Sequence, residues 1–125
     1  MNWKLVDLTV HGDERGNLVA IEKGSGIDFD IKRVFYMYSL DNKYNRGEHA
    51  NKNSKFLLVA LSGSLKVFLD DGNKQETIEL SSPDRGIYIN NMVWKRMCDF
   101  SNDCVVMVLA SEVYDKNEYE FEIRK

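Results

Sequence analysis

Short stretches in which apolar and polar residues alternate recur along most of the chain and constrain its fold more than any other feature. Alternation with a period of two is typical of strands with one buried face, whereas a helix needs a period near 3.6. Turn-forming clusters separate the stretches, and the strongest is Asp70-Asp71-Gly72-Asn73, where glycine supplies the positive φ of a hairpin. Strands are predicted at residues 3–8, 17–22, 31–40, 55–61, 65–69, 75–80, 87–89, 92–97 and 104–110.

The segments between these strands are predicted to be loops. Three polar or glycine-rich clusters interrupt the alternation, at residues 12–16, 23–26 and 41–46. No helix longer than two turns is indicated. Only the charged tail at residues 114–125 has a weak helical pattern, in which Asp115 followed by Glu118 resembles a short capping box. We expect this tail to be a solvated end or a dimer contact.

About nine short strands predict an all-β fold with a single domain spanning residues 1–125. A closed or nearly closed double-sheet barrel, a jelly roll, is favoured because closure protects the strand edges. The composition, with 43% hydrophobic and 30% charged residues, suits one packed core and excludes a disordered or linker-like chain. The interior of such a barrel is a natural place for a small-molecule site.

Charge and hydropathy exclude several partners. The net charge of −3 and the pI near 5.4 leave no basic field for a nucleic acid polymer. The longest apolar stretches are far shorter than the roughly 20 residues of a membrane helix, and the N-terminus lacks the apolar block of a signal peptide. A cytoplasmic protein is therefore expected. Cys98 and Cys104 lack CxxC spacing and are expected to be reduced structural thiols.

The segment Arg46-Gly47-Glu48-His49-Ala50-Asn51-Lys52 carries the most specific pattern. Residues two apart in a strand share a face, so His49 and Asn51 are predicted to point together into the cavity or together away from it. The segment is similar to the first cupin motif, in which two histidines, a glutamate and a later glycine build a metal site inside a jelly roll.

Further motifs extend the similarity from about Trp3 to Tyr114. They lie at residues 13–22, 31–34, 46–52, 69–72 and 99–112. Together these motifs resemble the dTDP-sugar 3,4-ketoisomerase family of the WxcM-like cupin type. The resemblance implies a cupin jelly-roll barrel and a reaction that moves the keto group of dTDP-4-keto-6-deoxyglucose from C4 to C3.

The same resemblance implies the setting of the reaction. It implies a homodimer that exchanges N-terminal strands and a place in deoxysugar biosynthesis, such as that of a lipopolysaccharide or S-layer glycan. An aminotransferase acting on the 3-keto sugar is the implied next enzyme. No cofactor is expected.

The chain departs from the family pattern at the positions expected to carry chemistry. Asn51 stands where the family usually has a second histidine, Lys55 and Phe56 replace glutamate and glutamine, and Lys95 stands where some relatives carry histidine. Asparagine cannot exchange protons near neutral pH. One conventional ligand and two ammonium groups also disfavour a metal ion, so no metal is expected.

His49 is the candidate catalytic residue, because the keto shift needs a group that exchanges protons near pH 7. Tyr36 and Tyr38 share one face of a predicted strand, and either could supply a hydroxyl to the sugar, although packing is the commoner use of a strand tyrosine. Tyr38 and Asn51 join His49 in the candidate catalytic set. Tyr36 joins the substrate-binding set.

Basic side chains within the matching motifs are candidates for the diphosphate, because guanidinium groups pair with phosphate oxygens in bidentate fashion. The substrate-binding set comprises Arg15, Gly16, Arg33, Tyr36, Arg46, Lys52 and Lys95. Solvated surface charges are the plain alternative for each of them.

The sequence therefore predicts a sugar-nucleotide isomerase with His49 as its proton-transfer residue. The alternative is a catalytically impaired or inactive cupin that retains the sugar-nucleotide pocket, which Asn51, Lys55 and Phe56 favour. A metal-dependent cupin oxygenase or epimerase is disfavoured by the number of ligands.

Overall fold

The computed structural model describes residues 2–123, and nearly all of its regular structure is β. Within that range the strands, in chain order, are β1 (Trp3–Asp7), β2 (Val10–Asp13), β3 (Gly16–Val19), β4 (Glu22–Lys23), β5 (Gly26–Ile27), β6 (Arg33–Met37), β7 (Arg46–Asn51), β8 (Phe56–Ser62), β9 (Leu65–Asp70), β10 (Gln75–Leu80), β11 (Arg85–Ile89), β12 (Trp94–Cys98), β13 (Val105–Ala110) and β14 (Tyr119–Glu120). A single turn of 3₁₀ helix, Lys116–Glu118, precedes β14.

Two five-stranded sheets form the body of the fold. The first has the order β1-β11-β8-β13-β6 and the second β10-β9-β12-β7-β14, with every neighbouring pair antiparallel. Alternate residues of both sheets form the core, for example Leu58 and Ala60 of β8 with Val67 and Leu69 of β9. The predicted all-β cupin jelly roll is confirmed.

A second apolar layer covers the outer face of the first sheet. Leu8, Ile27 and Phe29 pack there against Leu57 and Val59 of β8. This layer explains why β8 reads as a continuous apolar run, because both of its faces are buried. The two-stranded hairpin of β2 and β3 is mostly exposed.

The structure contains more strands than the sequence predicts because several short pairings occur in segments expected to be loops. The backbone N–H of Arg15 donates to the Asp13 carboxylate, which tightens the first predicted loop into a hairpin turn and lets β2 and β3 pair. Gly16 has a φ of 127° beside that turn. The hairpin predicted at residues 70–73 is present, with the Gly72 N–H bonded to Asp70.

The tail is not the helix that its capping pattern suggests. Asp115 does cap the 3₁₀ turn by accepting from the Asn117 N–H, as predicted. Glu118 makes no reciprocal cap, because its side chain is buried elsewhere, and the chain continues as β14 beside β7. Tyr119 and Glu120 of the tail therefore form the edge of the second sheet, and Arg124 and Lys125 lie outside the described residues.

Within residues 2–123 no helix has the length and apolar character needed to cross a bilayer. Cys98 and Cys104 are both unpaired. Cys104 packs in the core between the sheets, and burial raises the pKa of its thiol, which suits an inert structural role.

Candidate active site

Strand β7 carries His49 and Asn51 toward the space between the two sheets, as their two-residue spacing predicts. Lys95 of β12 lies directly across from His49 in the antiparallel register, and Tyr119 of β14 lies across from Asn51. The side chains of Asn51 and Lys95 are each 5% exposed, whereas His49 is half-buried. Two strands, β7 and β12, thus place one imidazole, one amide and one ammonium side by side, and β14 adds Tyr119.

Hydrogen bonding fixes the tautomer of His49. Its Nδ1 lies 2.9 Å from the carbonyl oxygen of Gly47, and a carbonyl can only accept, so Nδ1 carries the hydrogen. Burial lowers the pKa of His49, the nearby Lys95 charge lowers it further, and hydrogen bonds with Gly47 and Asn51 oppose the shift without cancelling it. His49 is therefore neutral at pH 7, and its lone pair lies on Nε2.

Gly47 makes this arrangement possible through an irregularity in β7. Gly47 and Glu48 have φ values of 83° and 60°, and the register between β7 and β12 shifts between Lys95 and Arg96. A Cβ on Gly47 would lie 3.0 Å from the Lys95 carbonyl oxygen. The bulge directs the Gly47 carbonyl to the imidazole, and only glycine fits it without strain.

We predict that Gly47→Ala destabilises the protein by about 1–2 kcal/mol more than Gly24→Ala, because both changes force an L-residue into left-handed backbone but only the Cβ at residue 47 is pressed against β12. The variant should also lose activity, since the carbonyl that holds His49 moves. Gly24→Ala is the matched control, because Gly24 has a φ of 90° but open space around the added Cβ. Urea unfolding of both variants measures the difference; equal stability and full activity in Gly47→Ala would contradict this role.

Lys95 is enclosed by apolar and polar groups from both sheets. Its Nζ donates to Asn51 Oδ1 at 3.0 Å and lies 3.5 Å from the carbonyl oxygen of His49. The ammonium also sits 4.5 Å from the centre of the Phe56 ring, in cation–π geometry. Burial lowers the pKa of Lys95 to about 7, although the Glu118 carboxylate opposes the shift.

Glu118 ties the tail to the loop that follows β7. Its carboxylate accepts from the backbone N–H of Asn53 at 3.1 Å and from the N–H and hydroxyl of Ser54 at 2.8 and 2.7 Å. Burial would raise the pKa of this carboxyl, but the bonds from Ser54, Asn53 and Asn51 outweigh it and hold the pKa below its ordinary value. Glu118 is therefore an anion within the cluster, and Asn51 bonds to both Glu118 and Lys95.

Aromatic residues of the tail cover His49. The Tyr119 ring stacks on the imidazole with 4.0 Å between centroids and 15° between planes, and Phe121 approaches edge-on at 6.3 Å. The Trp94 indole N–H fixes this end of the tail by donating to the Phe121 carbonyl at 3.0 Å. Sequence reasoning missed Glu118, Tyr119 and Phe121; three aromatic residues at 114, 119 and 121 in an otherwise charged tail were the available signal.

Arg33 is the candidate phosphate-binding arginine that the structure brings to this cluster. Its guanidinium lies over the rings of Phe35 and Tyr114, at 4.4 and 5.0 Å from their centres. Burial raises the pKa of the Tyr119 hydroxyl, and Arg33 opposes that shift through its charge and a hydrogen bond. Tyr119 therefore connects Arg33 with His49.

The other candidate binding residues lie farther out on the surface. Arg46 is exposed at the start of β7, and Lys52 is exposed just after its end. Arg15 and Gly16 belong to the β2–β3 hairpin, where Arg15 is exposed and ion-paired with Asp13. None of the contacts of Arg15 within residues 2–123 involves the cluster around His49.

Tyr36 and Tyr38 lie outside the cluster. They are 65% and 67% exposed and stack on each other, with ring centroids 6.4 Å apart. The prediction that Tyr36 and Tyr38 share one face is confirmed, because they face out with Val34 while Phe35 and Met37 pack toward the core. Within one chain, the structure therefore does not bring Tyr36 or Tyr38 to His49.

The donor set beside His49 does not fit the metal ion found in many cupins. No three His, Cys, Asp or Glu side chains in the described range converge as metal ligands. The ammonium of Lys95 lies where a cation would be repelled. Lys55, expected near the same site, instead lines a cleft with Lys4 and Tyr88, on the outer face of the first sheet.

Comparison with known proteins points to one group of enzymes. Residues 1–125 match the FdtA family, described as WxcM-like, C-terminal. A TDP-4-oxo-6-deoxy-alpha-D-glucose-3,4-oxoisomerase from Aneurinibacillus thermoaerophilus is 47% identical over 119 residues, covering 95% of this chain and 86% of the relative.

Solved structures of similar proteins agree with this match. The TDP-fucose-3,4-ketoisomerase WlaRA from Campylobacter jejuni superposes with a TM-score of 0.92 at 38% identity, covering 98% of this chain and 90% of that one. The sugar 3,4-ketoisomerase QdtA from Thermoanaerobacterium thermosaccharolyticum, in complex with TDP, has a TM-score of 0.91 at 40% identity, covering 97% and 88%.

Proposed function

This chain belongs to the FdtA family of WxcM-like proteins, and we propose on that basis that it moves the keto group of TDP-4-keto-6-deoxyglucose from C4 to C3. The observation that carries the proposal is the neutral His49, held through Nδ1 by Gly47, with Nε2 available as a base. Abstraction of a proton α to a carbonyl needs such a base, near neutral pH and partly shielded from water.

His49 performs the carbon proton transfers in this proposal. Nε2 removes the proton from C3, and the electrons of the C3–H bond form the C3–C4 double bond of an enediol. Asn51 lies beside His49 and bonds to it, so its part is to orient the imidazole and Lys95. No step needs a metal or another cofactor, because the ketone at C4 already makes the C3 proton acidic.

Arg33 contacts the pyrophosphate of the nucleotide in this proposal, and the exposed Arg46 and Lys52 assist it. We predict that Arg33→Met weakens TDP binding by about 1.5–3 kcal/mol, roughly 10- to 150-fold, because charge-assisted hydrogen bonds to phosphate are lost. Arg85→Met is the matched control, since Arg85 pairs with Asp7 on an exposed surface. Titration calorimetry with TDP measures both; unchanged affinity in Arg33→Met would reject this assignment.

We further propose that the enzyme is a homodimer in which N-terminal strands are exchanged. The β2–β3 hairpin has exposed apolar residues, Val10 and Leu18, and contributes little to its own core. Tyr36 and Tyr38 form another exposed apolar patch. In this proposal, exchange carries Arg15 and Gly16 to the partner's site. Because the protein is proposed to be a dimer, light scattering should give twice the mass of one chain.

The reaction has a natural setting in the cytoplasm, within deoxysugar biosynthesis for a lipopolysaccharide or S-layer glycan. Two unpaired cysteines are compatible with that reducing compartment. A 3-keto sugar is a substrate for an aminotransferase, which is the class of enzyme that would act next.

The alternative is a cupin that binds the sugar nucleotide without turning it over, and Asn51 is the observation that favours it. Protein dialysed against a chelator and incubated with TDP-4-keto-6-deoxyglucose in D₂O separates the two. The proposed enzyme forms an isomer that carries solvent deuterium, detected by mass spectrometry. Tight binding with neither isomer nor deuterium would support the binding protein.

A further inference from the structure

The keto shift requires proton transfer at oxygen as well as at carbon. O4 must gain a proton and O3 must lose one, while His49 is occupied with the proton that moves between C3 and C4. Asn51 shares the strand face of His49, but an amide does not exchange protons near pH 7. Another group beside His49 must carry the oxygen proton.

Lys95 is a titratable side chain placed where it can transfer a proton to and from the substrate oxygens. It is next to His49 across the β7–β12 pairing and points to the same interior space. Asn51 Oδ1 accepts from its Nζ at 3.0 Å, and the Phe56 ring supports the ammonium from the first sheet. With Asn51 and the His49 carbonyl as acceptors, one of the three N–H groups is left for a substrate oxygen.

We propose that Lys95 is the second proton-transfer residue of the site, carrying the proton between O4 and O3, and that Asn51 holds its ammonium in position. This proposal rests on the ketoisomerase function proposed above and adds a specific group to it.

The two residues return to their starting states after one turnover. In the first half, neutral His49 takes the C3 proton, the C3–H electrons form the C3–C4 double bond, and the carbonyl π electrons move to O4, which takes a proton from the Lys95 ammonium. In the second half, the neutral Lys95 amine takes the O3 proton, the O3–H electrons form the new C3 carbonyl, and the double-bond electrons take a proton from His49 at C4.

The charges around Lys95 define the pH range in which this works. His49 faces it from β7 and Glu118 from the tail, while Phe56 from β8 contributes no charge. The reaction needs neutral His49 and charged Lys95. The rate should therefore rise as pH passes the lowered pKa of His49, below 6.5, and fall as pH passes the pKa of Lys95, about 7.

Lys95→Met tests the proposal most directly, because methionine fills a similar volume without a buried charge. We expect kcat to fall by about 100-fold or more, with TDP affinity within about threefold of the unmodified protein. Lys66→Met, which removes an exposed lysine paired with Asp99, is the control and should keep full activity. A Lys95→Met variant within about threefold of the original kcat would overturn the proposal.

Lys95→Arg separates proton transfer from charge alone, since arginine stays protonated. A loss comparable to that of Lys95→Met supports proton transfer, and recovery of most of the rate would overturn it.

Glu118→Gln tests the same point with Lys95 in place. Removing the Glu118 anion lowers the pKa of Lys95 and should move the alkaline limb of the pH profile to lower pH. An unmoved limb would contradict the proposal, whereas a failed ketoisomerase function would show as no turnover by the unmodified protein.

Discussion

Replacing His49 by asparagine is expected to lower the isomerisation rate by about 10³-fold, near the middle of the range for loss of a general base. Asparagine can still bond to the Gly47 carbonyl, so the local structure of β7 is expected to persist. It cannot take a proton from carbon, however, and the C3 proton should no longer exchange with solvent. TDP affinity should stay within about threefold, because the nucleotide contacts we propose involve Arg33 rather than His49.

The control for this variant is His11→Asn, which removes the other histidine of the chain from the exposed strand β2. Steady-state kinetics and deuterium incorporation at C3 are measured for both variants. His11→Asn should behave like the unmodified protein. A His49→Asn variant that isomerises within tenfold of the original rate would show that another residue is the base.

Replacing Glu118 by alanine is expected to lower the free energy of unfolding by about 2–4 kcal/mol. The Asn53 N–H, the Ser54 N–H and the Ser54 hydroxyl lose their common acceptor. Lys95 loses the nearby anion that favours its charged form. Activity should fall as well, because the tail that stacks Tyr119 on His49 is released.

Urea unfolding of Glu118→Ala is compared with that of Glu79→Ala, an exposed glutamate on β10 that serves as the control. The folded-state pKa of Glu118 lies below its ordinary value, so its contribution is present above about pH 4.5 and is lost as pH falls through the folded pKa. The difference between the unmodified protein and Glu118→Ala should therefore shrink in acid. Equal stability of both variants at pH 7 would contradict the role assigned to the tail.

The strands of the two large sheets were largely predictable because each buries one face against a shared core. Alternation located β9 and β10, and a continuous apolar run located β13, each to within one residue. β2 and β7 were not among the predicted strands, and the two-residue strands β4, β5 and β14 were missed since two residues cannot display a periodic pattern. β14 depends on β7, which is distant in sequence, whereas β4 and β5 pair with each other across a two-residue link.

The candidate site was predictable only in part. The shared orientation of His49 and Asn51 follows from strand geometry, and Lys95 followed from the family resemblance as a binding position. The burial of Lys95 and Glu118 did not follow, because a charged residue is ordinarily expected at the surface. Only the folded chain brings the tail against β7 and supplies both charges with partners.

The arginines also show why the candidate site could be predicted from the sequence only in part. Arg15, Arg33 and Arg46 have equal standing in the sequence, each within a matching motif. In the structure only Arg33 reaches the aromatic residues around His49. Whether a basic side chain faces the site depends on which sheet edge its strand occupies, and local sequence does not encode that.

We propose that this chain turns over its substrate with His49 as its one motif histidine. The most direct test is ¹³C NMR of TDP-4-keto-6-deoxyglucose labelled at C3 and C4, incubated in D₂O with a catalytic amount of the unmodified protein. We expect the carbonyl signal at C4 to decline while a carbonyl signal appears at C3. A carbonyl that stays at C4, with hydrogen retained at C3 in protein that binds TDP, would contradict it.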